Sequence, residues 1–542
     1  MIPFSNLPIE RTYFDDSEVI IYHDILEGDV WISQDEGKSC DLASDVPRGK
    51  AIMFIAHPFQ RTWTYILMDS TKHYRTTNRG RSWQDFEVPE GPALVSEPLS
   101  SIFEIRTRFC TKALHVKRAG WARVTVMRAY TWYATDNLES DPKELLLPSR
   151  QGKFAHSSKE FKHNAPENLI YCIGWEGTAY SSLSPKLLLS TDFFKKDKKV
   201  LTLPGGNKNS EGVLALAIVS KFVVAGVRDL SPSSQNDMLM YVSVDAENWA
   251  KGMFPHTSSS KLRENACTVV ESTTHSLGVD VLLHSRLTIG TLLVSNSNGT
   301  YFVESLKNTN RNLEGFVDFE TIYDIEGIGL ANVVDKPHEV DGRGAERIVK
   351  SVITFDDGSS WAPIHAPSKD VDGKDIGCDT KETDLCSLHL HSVTSLHNVD
   401  RVFSSPASGY ILGTDGGVSW EMVKKNAHKY EFGDQGSIMV LINDEEAVDR
   451  ITYSYDSGKT WQDLDLGVKI RARALTIIPD STSQRFLLVG GLHKSSIEDK
   501  KHPHAAIYLD FSPLRKVKCT PDQFEKWFAR THDHECLMGH KV

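Results

Sequence analysis

Cysteine is scarce in this chain, eight residues in 542, and no two of them form a Cys-x-x-Cys pair, so a cysteine zinc site is not expected. So few cysteines do not prove an oxidising compartment. Positive charge is short as well. Lys and Arg total 61 against 72 Asp and Glu, a net of −11, which argues against generic binding to nucleic acid or an anionic membrane surface. No apolar run reaches 18 residues, so no transmembrane helix is expected. The opening Met1-Ile-Pro-Phe-Ser-Asn-Leu-Pro8 lacks the basic start and apolar centre of a signal peptide. Taken alone, these absences describe a soluble cytosolic chain. Gly-x-Ser-x-Gly, His-Glu-x-x-His and phosphate-binding glycine loops are missing too, which leaves the commoner enzyme classes without a foothold. No cofactor, metal or catalytic residue is expected.

What the chain does have is a returning phrase, Ser/Thr-x-Asp-x-Gly-x-x-Trp. Its clearest copies are Thr354–Trp361 and Ser454–Trp461. Weaker copies start at Ser33, Thr76, Ser295 and Gly413, and decayed ones at Ala134, Ser190 and Ser243. The starts advance by 41 to 59 residues, and a period in that range signals an array of like supersecondary units. Each copy follows a β-type run such as Lys350–Thr354 or Arg450–Ser454. The aspartate is suited to accept backbone N–H groups about two residues on. The glycine supplies a positive φ, the hydroxyl adds a local bond, and the aromatic ring packs on the next strand. The phrase therefore reads as a hairpin turn that holds a fold together, not as a set of catalytic aspartates.

Short apolar runs bounded by Gly, Pro, Asn, Asp and Ser recur throughout, including Leu169–Ile173, Val213–Val219, Val279–Leu283 and Ser437–Ile442. Nine phrase positions and a strand-rich stretch at 465–518 make about ten units. Four strands per unit in a closed ring is the propeller arrangement, so the expected fold is all-β, a ten-bladed β-propeller over 1–517. Helical pattern is scarce before Pro521–Arg530, which places a boundary near 518 and leaves 518–542 as a short tail. Cys378 and Cys386 share a polar loop. They read as a local disulfide in a secretory chain, or as two free thiols otherwise. Residues 101–130 carry seven basic residues against the single acid Glu104. That run fits a phosphate-binding patch, a solvated surface, or a segment translated in the wrong frame.

The phrase is the Asp-box, and several segments resemble the sortilin-type vacuolar protein sorting receptors, the fungal members above all. They are Cys386-Ser-Leu-His-Leu-His391, Ser295–Phe302, Ser351–Trp361 and His428–Ile438, with Phe524-Glu-Lys-Trp527 and Cys536-Leu-Met-Gly-His-Lys541 in the tail. The resemblance implies a wide-bored propeller that binds peptide or protein cargo, namely soluble vacuolar hydrolases such as carboxypeptidase Y. It also implies service in the Golgi and endosome lumen, with the membrane reached through an anchor that this chain does not include. The tail would be the truncated start of a cysteine-rich module. A Gly-rich strand and acidic loop of the family are missing where Arg401–Tyr410 runs into Ile411, so one blade is expected to be incomplete near 405–415.

Within that likeness, family members carry a basic residue near the Ser295 phrase. Here Glu304–Asn312 offers Lys307 and Arg311 for a cargo carboxylate, arginine being the better fork; the plainer reading is two exposed loop cations. His389 and His391 alternate with leucines, which puts both rings on one strand face. They suit either an acid-triggered release or structural hydrogen bonding. Asn298-Gly-Thr300 is the glycosylation sequon, inside a box turn. Two rivals stay open. A sialidase-like Asp-box glycosidase would need an arginine cluster, a Tyr/Glu nucleophilic pair and an acid, and its Arg-Ile-Pro opening before the first box is missing here. An orphan secreted scaffold would share the fold without the sorting role.

Overall fold

The computed structural model describes residues 1–7, 10–14, 17–57, 60–88, 109–118, 125–134, 143–144, 149–155, 166, 168–174, 185–204, 212–219, 221–230, 237–255, 262–263, 267–272, 275–282, 289–312, 315–321, 327–343, 345–377, 386–388, 409–412, 420–477, 482–497, 502–514, 536–537 and 540–541. Strand dominates them. One short α-helix, Pro337–Arg343, stands among the described residues. The chain divides into two compact units. The first comprises Met1–Phe54, Thr77–Ser82 and Asp318–Val542, the second Ile55–Thr76 and Trp83–Val317.

The second unit is a succession of small antiparallel meanders. Thr64–Met68, Lys72–Thr76 and Gln84–Glu87 make the first. Phe109–Arg118 then pairs with Thr125–Ala134 and on to Lys143–Glu144, so Lys112, Lys117, Arg118 and Arg128 of the basic run lie on an antiparallel strand pair. Ser149–Phe154, Ile170–Gly174, Lys186–Ser190 and Lys199–Val200 come next in sequence order. Two further groups run Val213–Val219, Phe222–Arg228, Asp237–Ser243, Ala250–Lys251 and then Cys267–Ser272, Leu277–Val281, Ile289–Ser295, Phe302–Asn310. Sheets stack face to face. Tyr171, Ile173 and Leu187 of one group share a core with Val213, Val223, Ala225 and Tyr241 of the next. The middle strands are therefore buried on both faces. That is why Ile170–Gly174 reads as a continuous apolar run and not as an alternation.

The first unit repeats the plan. Its groups are Glu10–Tyr13 to Asp41–Leu42, Phe319–Thr321 to Ala362–Pro363, the pair Gly409–Leu412 with Trp420–Lys424, and His428–Gly433 onward. The 15-residue strand Gln462–Thr476 serves two groups. Its first half pairs with Val448–Ser454 and its second with Arg485–Leu492. The last group is completed by the start of the chain, because Ile2–Phe4 pairs with His504–Asp510. Phe4, Ile20 and Tyr22 pack there against Leu487, Val489 and Ala506. Burying a ring such as Phe4 is worth about 2–3 kcal/mol, more than a three-strand-residue ladder contributes alone. Packing therefore holds this closure and the ladder sets its register.

The box turns at Ser33, Thr354 and Ser454 share one geometry. At Ser33 the Gly37 N–H donates to Ser33 Oγ (2.7 Å), the Ser39 N–H to Asp35 Oδ1 (2.8 Å) and the Ser39 hydroxyl to Asp35 Oδ2 (2.7 Å). The Thr354 and Ser454 copies repeat all three bonds. The aspartate thus reaches four residues on, not two. Two successive left-handed residues make this possible: Glu36–Gly37, Arg79–Gly80, Asp357–Gly358 and Ser457–Gly458. The copy at Ser190 is decayed only in letters. Phe193 and Phe194 hold φ of 62° and 60° in the glycine's place, and the Phe194 N–H still donates to Ser190 Oγ (2.8 Å). Left-handed backbone costs about 1–2 kcal/mol per residue, which the burial of Phe194 in its own small core offsets. At Ser243 the turn is one residue shorter. Asp245 accepts the Asn248 N–H (2.7 Å), and Trp249 arrives early to meet Tyr171 edge-on.

Several sequence expectations lie outside the described residues: the helix at Pro521–Arg530, His389, His391 and Cys378. The turns themselves generate two predictions. A Cβ at Gly37 would stand 2.7 Å from Leu487 Cδ1 and 2.8 Å from the Tyr22 hydroxyl, whereas Gly467 has open space. Both have positive φ. Gly37→Ala is expected to destabilise by about 1–3 kcal/mol more than Gly467→Ala, read by thermal unfolding. The second concerns acid. Burial pulls the Asp245 carboxyl upward, but the Asn248 side chain and N–H and the Glu247 N–H outweigh it and bring it down to about 2. The Thr460 hydroxyl and N–H take Asp456 to about 2 as well. A depressed carboxyl contributes its full stability above the unfolded value near 4 and loses it as pH falls toward 2. Thermal stability attributable to the boxes is expected to be flat from pH 7 to 5 and to fall below pH 4 in wild type.

Candidate ligand-binding face

Lys307 and Arg311 belong to the strand Phe302–Asn310 and the residue just beyond it, not to a loop. The strand pairs with Ile289–Ser295, and the register slips twice, between Gly290 and Thr291 and between Leu292 and Leu293. Each slip adds a residue to Phe302–Asn310 and re-aims the side chains beyond it. At the slip beside Gly290, Asn308 takes φ 61°, a conformation that asparagine tolerates better than most residues. After that bulge Thr309, Asn310 and Arg311 are all buried in succession. Before it, Val303 and Lys307 are exposed.

The two cations therefore have different surroundings. Lys307 is exposed and lies 3.1 Å from Glu304, a surface pair worth about 0–1 kcal/mol. Arg311 is 2% exposed. Its Nη1 donates to Asp280 Oδ1 (2.8 Å) and its Nη2 to Thr268 Oγ1 (3.2 Å). The Thr309 hydroxyl also donates to the Asp280 carboxylate, and the Thr268 hydroxyl donates to the Gly315 carbonyl (2.8 Å). A Cβ at Gly290 would overlap the Asp280 carboxylate, so only glycine lets this pair form. Burial raises the Asp280 carboxyl's pKa, with Thr309 and then Arg311 pulling against it. The Cys267 thiol beside the pair is pushed up to about 12 by burial and by Asp280, which keeps it neutral and unreactive.

The sequence offers both cations in one segment and favours the arginine as the better fork, and the bulge separates them. One signal was available. Asp280 stands inside the apolar run Val279-Asp-Val-Leu, and a carboxylate on a buried strand demands a partner. Of the other expected site residues, Asn298 is exposed in its turn, and Cys386 is disulfide-bonded. Among the described residues no group of three or more His, Cys, Asp or Glu is placed to hold a metal ion. The paired arginine generates a prediction. Arg311→Ala leaves a buried carboxylate without its cation and is expected to cost about 3–5 kcal/mol. Thermal unfolding should show a large loss of stability for Arg311→Ala and almost none for Lys307→Ala.

Comparison with known proteins places these features in a family. The family model described as "Sortilin, neurotensin receptor 3" matches residues 28–414 and 412–475, and the C-terminal model of the same name matches 477–542. The first match divides at 412–414, beside the two-stranded group Gly409–Leu412 and Trp420–Lys424. A Laccaria bicolor protein named vacuolar protein sorting/targeting protein 10 is 50% identical over 554 residues, covering 98% of this chain and 38% of that protein. The protein of the same name in Mycosarcoma maydis is 38% identical over 579 residues, covering 99% and 37%. This chain thus spans well under half the length of the relatives it matches. Among solved structures, a xyloglucanase from Xanthomonas campestris covers 94% of this chain and 86% of its own at 10% identity and a TM-score of 0.26, a likeness too slight to bear on function. With both family models tiling the chain from residue 28 to its end, the protein belongs to the Sortilin-Vps10 family.

Proposed function

We propose that this chain is the luminal cargo-binding part of a sorting receptor that carries soluble vacuolar hydrolases from the late Golgi to the endosome and vacuole. The observation that carries the reading is identity of 50% along 98% of the chain with a protein named for vacuolar sorting and targeting. The disulfide at Cys386 supports a secretory route, because such bonds persist in oxidising compartments. Its partner in this reading is Cys378. Five strand groups in each unit, among the described residues, support a ten-bladed ring over 1–517, with one blade short near 405–415 and the start of a cysteine-rich module at 518–542. No catalytic step is assigned, and the glycosidase alternative is not favoured by the family.

Cargo docks in this reading through a strand edge and one cation for a carboxylate. Lys307 is the residue for that role, being exposed, with only the weak Glu304 contact to give up. Arg311 acts from beneath. Held by Asp280, it fixes the course of the chain after the Asn308 bulge and so the position of Lys307. The test is a binding titration of the full chain with carboxypeptidase Y, beside thermal unfolding. Lys307→Glu is expected to weaken binding about tenfold, equivalent to about 1.4 kcal/mol, with an unchanged melting temperature. Unaltered affinity would remove Lys307 from the site.

A further inference from the structure

The turn Ser295–Phe302 departs from the other boxes. Ser297 occupies the place of the aspartate, yet Asn296 does its work. The Asn296 side-chain oxygen accepts the N–H of Thr300 (3.0 Å) and of Tyr301 (3.2 Å), and its carbonyl accepts the Gly299 N–H (2.9 Å). The Asn296 N–H in turn donates to the Tyr301 carbonyl (2.9 Å). With the turn closed this way, Asn298 is left at the tip. Its side chain is exposed and makes no hydrogen bond among the described residues.

Beside that tip lies an apolar surface. Tyr301 and Val303 are each 66% exposed and Met253 is 45% exposed. They are held together by backbone bonds: the Met253 N–H donates to the Thr300 carbonyl (2.7 Å) and the Phe302 N–H to the Met253 carbonyl (3.0 Å). Their neighbours Phe254 and Phe302 stack beneath at 4.8 Å and give the platform a rigid base. A contiguous exposed apolar patch marks a place where something sits. The sequon Asn298-Gly-Thr300 ends one residue before Tyr301, and three residues span at most about 11 Å of chain. A sugar attached at Asn298 is thus within reach of the ring.

We propose that Asn298 carries an N-linked glycan whose first sugars lie on the platform of Tyr301, Val303 and Met253. The inference rests on the secretory route proposed above. In the attachment step the Asn298 Nδ2 bonds to the anomeric carbon of an oligosaccharide carried on a lipid pyrophosphate. The bond from that carbon to the pyrophosphate oxygen breaks, the pyrophosphate leaves with the electron pair, and one Nδ2 proton passes to a base of the transferase. The C–H face of the first sugar then covers the Tyr301 ring and the Val303 side chain, surface that the protein leaves exposed. The exposed hydroxyls face water.

The experiment uses the full chain produced behind a secretory leader in a yeast. Peptide mass spectrometry reads occupancy at Asn298, and native digestion with an amidase that removes N-glycans reads the release rate. Occupied Asn298 is expected, with release at least tenfold slower from wild type than from Tyr301→Ser or Val303→Ser, both surface changes. Equal release rates overturn the platform, and an unmodified Asn298 overturns the site. The two readings separate in the same preparation. If Cys386 is oxidised and carboxypeptidase Y binds while Asn298 is bare, only the glycan proposal fails. If the chain stays reduced and binds no cargo, the receptor reading fails first.

Discussion

The structure depends on a small carboxylate turn used again and again. A hydroxyl and an aspartate collect N–H groups that a reversing chain would otherwise leave unpaired, and two left-handed residues bring those groups into range. Each bond is worth about 1 kcal/mol net, so no single turn decides the fold. Repetition does: the same three bonds recur at Ser33, Thr354 and Ser454. Geometry is kept where lettering is not. Ser190 keeps it with two phenylalanines where glycine is expected, whereas the Ser295 turn closes differently, on the Asn296 side chain and carbonyl.

Repeated turns make hairpins, and packing makes them a body. Neighbouring sheets bury both faces of their central strands, as the shared core of Tyr171, Leu187, Val213 and Tyr241 shows. In the first unit two devices link strand groups, one between neighbours in sequence and one across the chain. Gln462–Thr476 joins two strand groups into one seven-stranded sheet, and Ile2–Phe4 joins His504–Asp510 across nearly the whole length of the chain. The Ser33 turn is seated against the last group as well, where Ser483 and Arg485 bond to Glu36 (2.8 and 3.4 Å). The N-terminal strand is thus tied down within a sheet, which keeps it from fraying.

The different surroundings of Lys307 and Arg311 arise from a defect in regularity. Without the Asn308 bulge, alternation would place Lys307, Thr309 and Arg311 on one side of the strand. The extra residue sends Arg311 into the interior, where Asp280 stands beside a glycine. The buried pair anchors the strand and the exposed lysine remains on its surface. Bulges commonly sit beside functional positions for this reason: they re-aim one side chain at the loss of one ladder bond.

All-β character, the repeat and its hairpin role were legible in the sequence, because they rest on local chemistry: hydroxyl, carboxylate and glycine at set spacing between β-branched runs. The family likeness was legible for the same reason, in segments such as Cys386–His391 and Ser351–Trp361. What tertiary structure alone decided was non-local. It paired the first strand, Ile2–Phe4, with His504–Asp510 near the other end of the chain, ran one strand through two groups of a single seven-stranded sheet, and separated Lys307 from Arg311. Register and burial depend on which distant strand lies alongside, and a one-residue slip reverses which face a side chain takes; no window along the sequence contains that information.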